Sequence, residues 1–292
     1  MAADITARST TTSTTRTKDL EFGRPRRWVT VLVWVLLGLS GVHLFATIAS
    51  VVTNSFAGQW FDTWLPTEWT LRWYGESWRE FGLTQVLIVT FVVGLAVVAI
   101  SLLIAIPAAY ALARSQMPGK KYFLIALTLP VIVPTITYGV PLATLIYGVG
   151  LGGQLTGVIL INLVPAVPFG ILVLTPFMEA IDQRMEHAAR MCGAGTMTIF
   201  RRILVPLLRN GILAVGIMLL VRALGTFDLT FLVAGPDSQT LVVALYYALS
   251  AAGFRVNASI DAMAVMYMVV NFALLAFAFR YVNPARMMAR GH

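Results

Sequence analysis

Long uncharged runs separated by short charged ones set the pattern of this chain. Residues 28–52 carry no formal charge, nor do residues 81–113 or the whole of 122–178. Residues 207–233 are apolar apart from Arg209, Arg222 and Asp228, and 262–279 form a short last run that Tyr281 and Val282 extend. A helix needs roughly 20 apolar residues to cross the hydrocarbon of a bilayer. The run 122–178 is long enough for two crossings, with a turn at the glycine-rich break 148–153. The pattern therefore predicts an all-α polytopic membrane protein with six transmembrane helices within residues 28–283, flanked by tails at 1–27 and 284–292. The first run is too long, and begins too far in, for a cleaved signal peptide.

Charge adds orientation. The polar segments 1–27, 114–121, 179–209 and 280–292 hold 17 of the 21 Lys and Arg residues and six of the 13 acids. The alternate segments, 53–80 and 228–261, hold three basic residues and seven acids. Lys and Arg accumulate on the cytoplasmic side of membrane proteins, so both termini are expected there. The net charge of +8 is then a topological signal, and its scatter over several loops argues against nucleic-acid binding. A composition of 58% hydrophobic and 12% charged residues agrees with a membrane protein, since soluble domains carry about 25% charged.

Local composition refines this picture. Residues 1–20 are rich in Thr and Ser without apolar periodicity, which predicts a disordered cytoplasmic tail. Five tryptophans, Trp60, Trp64, Trp69, Trp73 and Trp78, fall in the external segment. That density predicts an interfacial pair of helices able to touch a docked protein. The third span carries Pro130, Pro134 and Pro141, and the fourth Pro165, Pro168 and Pro176, each freeing a carbonyl and permitting a bend. The lone Cys192 can form no intrachain disulfide and is read as a small buried thiol.

Chemistry-bearing motifs are sparse. There is no G-x-x-x-x-G-K-[ST] phosphate loop, so ATP is not expected on this chain by that route, and there is no G-x-S-x-G elbow. His43, His187 and His292 are too scattered for a metal site. No enzyme chemistry, metal or bound cofactor is expected. Four polar positions are candidates for a solute path: Tyr138, Asn162, Arg222 and Asp228. Arg222 lies about 22 Å along its helix from Leu207, in the outer third, where it either faces a water-filled cavity or snorkels to the surface. Asp228 either binds a cationic or hydroxylated solute, or serves as a cap or ion-pair partner.

The segment 179–206 is the long polar stretch of the second half, with Arg184, Arg190, Arg201 and Arg202 crowded into it. Within it His187-Ala188-Ala189 is followed after three residues by Gly193, and after nine more by Ile203-Leu204-Val205-Pro206. Met185, Ala188, Ala189 and Cys192 recur at spacings of three and four, predicting a short helix with a small apolar face. Gly193 should end it, and residues 196–204 should form a second short helix leading to Pro206 at the start of the fifth span.

This spacing resembles the cytoplasmic loop signature E-A-A, three residues, G, nine residues, I-x-L-P of the membrane-spanning subunits of binding-protein-dependent ABC importers. His187 stands where that family has Glu, and Val205 where it has Leu. Glu186 neighbours the usual Glu position, but one residue turns a helix by about 100°. The run from Ala108 to Arg114, then Pro118-Gly119-Lys120-Lys121, is similar to the family's second span and turn. The phrase at 65–74 resembles permeases of polyamine-type importers.

The resemblance implies the type I importer permease fold in a bacterial inner membrane. It also implies a second permease subunit, an ABC ATPase dimer holding ATP and Mg, and an extracytoplasmic solute-binding protein, all within membrane lipid. It marks Glu186, His187, Ala188, Ala189, Gly193, Ile203 and Pro206 as the loop that couples to the ATPase. The solute it implies is polyamine-like or carbohydrate. The alternative class, an ion-coupled secondary transporter, calls for inverted repeats and intramembrane carboxylates, and neither is visible.

Overall fold

The computed structural model describes residues 27–58, 65–115, 118–251 and 257–281. The tails predicted at 1–27 and 284–292, apart from Arg27, and Trp60 and Trp64, lie outside those residues. The described chain is helical, with one isolated antiparallel bridge between Ala57 and Trp69. The helices are α1 (Arg27–Phe56), α2 (Arg72–Glu80), α3 (Leu83–Arg114), α4 (Lys120–Ile132), α5 (Thr135–Gly148) and α6 (Leu155–Glu179). They continue with α7 (Gln183–Met191), α8 (Thr196–Ile199), α9 (Val205–Gly225), α10 (Asp228–Val233), α11 (Leu241–Ser250) and α12 (Asn257–Tyr281). Two compact units divide the chain after Ala49; the first contributes an apolar helical stretch and the second, Ser50–His292, contains the packed bundle.

Five helices among the described residues are long and apolar enough to cross a bilayer: Arg27–Phe56, Leu83–Arg114, Leu155–Glu179, Thr196–Gly225 and Ala258–Phe277. Helices α4 and α5 are long and apolar enough only as a pair, bent by 94° at their junction, the form of a broken sixth span or of a re-entrant loop. The bend has a local cause. Pro134 has no N–H to give the carbonyl of Pro130, and Val133 before it is extended, as a residue preceding proline tends to be. Tyr138 Oη donates to the Pro130 carbonyl at 3.2 Å instead. The fourth span behaves differently. Despite Pro165, Pro168 and Pro176 it remains one helix, and Pro165 and Pro168 are buried within the bundle.

The fifth span also departs from expectation. It does not begin near Leu207 or run to Val233. A continuous helical rod extends over Thr196–Gly225, and Asp228–Val233 is a separate short helix. Pro206 is therefore inside the rod. Because it lacks an N–H and its ring crowds the carbonyl four residues back, the turn before it widens into a π-helical turn, Phe200–Leu204. The Val205 N–H accordingly donates to the carbonyl of Phe200.

Helices α3, α6 and α9 form the heart of the second unit. On α3 nearly every fourth residue is buried: Val89, Val93, Val97, Ser101, Ala105, Ala109 and then Leu112. Ile161, Ala166, Ile171 and Leu174 of α6 and Val215, Leu219 and Ala223 of α9 meet that stripe. Small residues set the approach; a Cβ built at Gly170 would lie 3.1 Å from that of Ala105.

At one end of the bundle the predicted glycine break forms the α5–α6 turn. There Gly153 N–H donates to Val233 O at 2.9 Å and Ser238 Oγ donates to Gly153 O at 2.9 Å. The external segment gives a single helix, α2, among the described residues, where a pair was expected. Trp73 is buried with Nε1 donating to Ala57 O at 2.6 Å, so it fastens α2 and does not float at an interface. Trp69 and Trp78 remain exposed.

Candidate functional site

The segment 179–206 folds as a helix, a tight turn and the start of the long rod. Asp182 caps α7, its Oδ1 accepting the Arg184 N–H at 2.9 Å. At the other end Gly193 adopts φ +79°, and a pair of bonds closes the helix: Gly193 N–H to Arg190 O at 2.9 Å and Ala194 N–H to Ala189 O at 3.0 Å. This doubly bonded termination requires a left-handed residue, which glycine supplies without a Cβ clash. The expected helix and its glycine stop are both present.

One polar contact was not legible in the loop alone. Glu186 is 4% exposed and turned into the protein. Its Oε1 accepts from Arg114 Nε at 2.7 Å, its Oε2 accepts from Tyr110 Oη at 3.0 Å, and Arg114 Nη2 donates to Ile181 O at 2.9 Å. Tyr110 and Arg114 belong to the last turn and a half of α3. Below this triad Ile199 and Leu204 are fully buried with Met178 and Leu208, and Ala189, Ala194 and Ile203 pack against them. Tyr110 and Phe200 meet edge to face at 5.9 Å. Both ends of α7 are thus fixed to the bundle.

The opposite face of α7 is open. Met185 is 46% and Met191 89% exposed, and His187, Ala188 and Cys192 are exposed beside them. Cys192 is a surface thiol, not the buried one expected. Glu186 is buried and not on this face, whereas His187 is exposed on the helix. Pro206 is exposed on the rod and shapes the π turn.

The solute-path candidates separate into two groups. Asn162 is buried, with Nδ2 donating to Val158 O at 2.8 Å and to Thr230 Oγ1 at 3.0 Å, which binds α6 to α10. Tyr138 is engaged at the proline bend. Both serve the scaffold in this conformation. Arg222 is half-buried with its guanidinium 5.6 Å from the centre of the Phe169 ring, a cation–π distance, and Asp228 is exposed as the first residue of α10. Next to Asp228 the fold brings the pair Phe227 and Phe231 against the consecutive Tyr246 and Tyr247, a cluster that the sequence pattern alone does not report.

The described residues form a polytopic helical bundle with a helix–glycine–helix loop at one end. The chain belongs to the family described as the inner-membrane component of binding-protein-dependent transport systems, which matches residues 101–287. It is 30% identical over 227 residues to a sulfoquinovosyl glycerol transport permease of Agrobacterium fabrum, covering 76% of this chain and 78% of that one. It is 31% identical over 159 residues to the trehalose transport permease SugB of Mycobacterium tuberculosis, covering 54% and 58% respectively. Its fold matches a bacterial ABC transporter involved in alginate import with a TM-score of 0.70 at 18% identity, over 89% of this chain and 98% of that chain. The protein is thus a multi-pass inner-membrane permease subunit of an ABC importer, with the type I fold.

Proposed function

We propose that this chain forms half of a translocation path for a small carbohydrate solute and is driven by a separate ABC ATPase docking on α7. The observation that carries the reading is the two-sided nature of α7. Its Met185, Ala188, Met191 and Cys192 face is open, while Glu186 is tied back to Arg114. Such a face is apolar enough to enter a groove on a partner without leaving charges unpaired. The rod Thr196–Gly225 begins three residues after Gly193, so a push on α7 reaches the membrane span without an intervening flexible loop.

In this reading both termini and the α7 loop are cytoplasmic, as the basic residues favour. ATP and Mg sit on the ATPase pair and a second permease completes the path; an extracytoplasmic binding protein delivers the solute, a dependence that the family's description names. ATPase closure biases the bundle toward one of two arrangements, and hydrolysis returns it. Carbohydrate is favoured over polyamine because the relatives above are named for sugar derivatives, and because Asp228 is a single carboxylate where a polycation would want several.

The test is a crosslink between Cys192 and single cysteines placed along the surface cleft of the ATPase in the assembled complex. Crosslinks that form and change with ATP are expected. Cys192 left freely reactive to soluble maleimide in the full complex, with no crosslink in either nucleotide state, would overturn the docking.

A further inference from the structure

Four aromatic rings assemble where α10 and α11 meet. Phe227 and Phe231, one helical turn apart, lie 5.1 Å centre to centre and nearly parallel at 24°. Tyr246 sits 4.9 Å from Phe227 and 5.1 Å from Phe231. Tyr247 lies 5.7 Å from Phe231 and 6.0 Å from Tyr246. Rings in such mutual contact hold one another's orientation. The patch nonetheless stays open: Tyr246 and Tyr247 are each 43% exposed.

The charges around it say what it faces. Exposed Asp228 follows Phe227 directly, and Arg222 lies five residues before Phe227 on the end of α9. The rings therefore share their surface with an exposed carboxylate. Ring faces combined with an exposed carboxylate suit a ligand that is apolar on its flat sides and hydroxylated around its edge. A pyranose has that anatomy: its axial C–H bonds point at a ring face and its equatorial hydroxyls donate to an acceptor.

We propose that Phe227, Phe231, Tyr246 and Tyr247 form a stacking platform for a pyranose ring of the transported solute, with Asp228 accepting from its hydroxyls. The proposal rests on the carbohydrate reading given above and locates where this chain meets the sugar. Arg222 is held against the Phe169 ring, its guanidinium 5.6 Å from the ring centre.

Saturation-transfer NMR on the full chain assembled with its second permease in lipid nanodiscs tests it, with trehalose as the pyranose probe and mannitol as an acyclic polyol. Irradiating aromatic protons should saturate the trehalose ring protons about fivefold more than those of mannitol, in line with a stacking energy of about 1 kcal/mol. Y246A/Y247A should abolish that preference, Y246F should keep it, and D228N should weaken it. Equal transfer to the two polyols, or an unchanged signal in Y246A/Y247A, overturns the proposal. So does a double variant that keeps the signal but separates from the second permease on size exclusion, which would make the patch a subunit seam. The Cys192 crosslink involves none of these residues. A chain that crosslinks with ATP yet shows no trehalose preference removes the platform and leaves the importer reading standing.

Discussion

Glu186 and Arg114 are separated by 72 positions in the chain and meet at 2.7 Å, with their side chains 6% and 12% exposed. The contact joins the helix expected to receive force from the ATPase to the end of a core span. Removing one member of a buried pair leaves an uncompensated charge and costs about 3–5 kcal/mol. R114A should therefore loosen α7, seen as faster proteolysis within 179–206, and should uncouple ATP hydrolysis from uptake. R114K should fall between, because an ammonium cannot reproduce the guanidinium geometry that serves Glu186 and Ile181 together. R114M/E186M should be more stable than either single methionine variant. If R114A left both proteolysis and coupling at wild-type levels, the pair would have no part in positioning α7.

Gly193 gives the second prediction. At φ +79° an L side chain is strained, by about 1–2 kcal/mol, although nothing lies within 4 Å of an added Cβ. The cost is thus conformational and not steric. G193A should lower the midpoint of thermal unfolding of the complex and reduce ATP-driven uptake, while G193N should be milder because Asn tolerates the left-handed region. Equal behaviour of the alanine and asparagine variants would count against this account.

How much of this was legible in the sequence follows from what bilayers select. Hydrophobic length marked the apolar helices, though the fifth begins and ends earlier than its apolar run, and the glycine break and the α7 stop are local signals that the structure bears out. The buried face of α3 was not visible as hydrophobicity, since lipid-facing and core-facing positions are both apolar. It is marked by small and weakly polar residues, such as Gly94, Ser101, Ala105 and Ala109. Prolines misled for a related reason. Pro165 and Pro168 are absorbed in a packed helix, while Pro134 breaks one, and the difference lies in neighbours. The Glu186–Arg114 pair joins segments 72 residues apart, and the four-ring patch depends on how two short helices pack, and neither is reported by a local pattern.

The bend at Pro134 has its own test. Tyr138 Oη supplies the hydrogen bond that Pro134 cannot give to Pro130 O. Y138F should destabilise the protein by about 1 kcal/mol. P134A restores a backbone donor for that carbonyl, so Y138F should cost little in the P134A background. A double-mutant cycle on thermal stability measures the coupling. Additive effects would mean that Tyr138 does not serve the bend and returns it to the list of groups facing solute.

Asn162 separates scaffold from path most directly. Its amide donates to Thr230 Oγ1 at 3.0 Å, and both side chains are buried, Thr230 at 1% exposure. N162A leaves the threonine oxygen without that donor and should cost about 1–3 kcal/mol of stability. N162L/T230V replaces both polar partners with apolar groups and should recover much of the loss. Solute affinity is expected to hold: the KM for uptake should stay within about twofold of wild type while the unfolding midpoint falls, since a twofold change is under 0.5 kcal/mol. The reverse result, a KM raised tenfold at an unchanged midpoint, would show that Asn162 contacts solute in another state of the transport cycle. Its bond to Thr230 would then be the contact that α6 and α10 exchange for solute when the path opens.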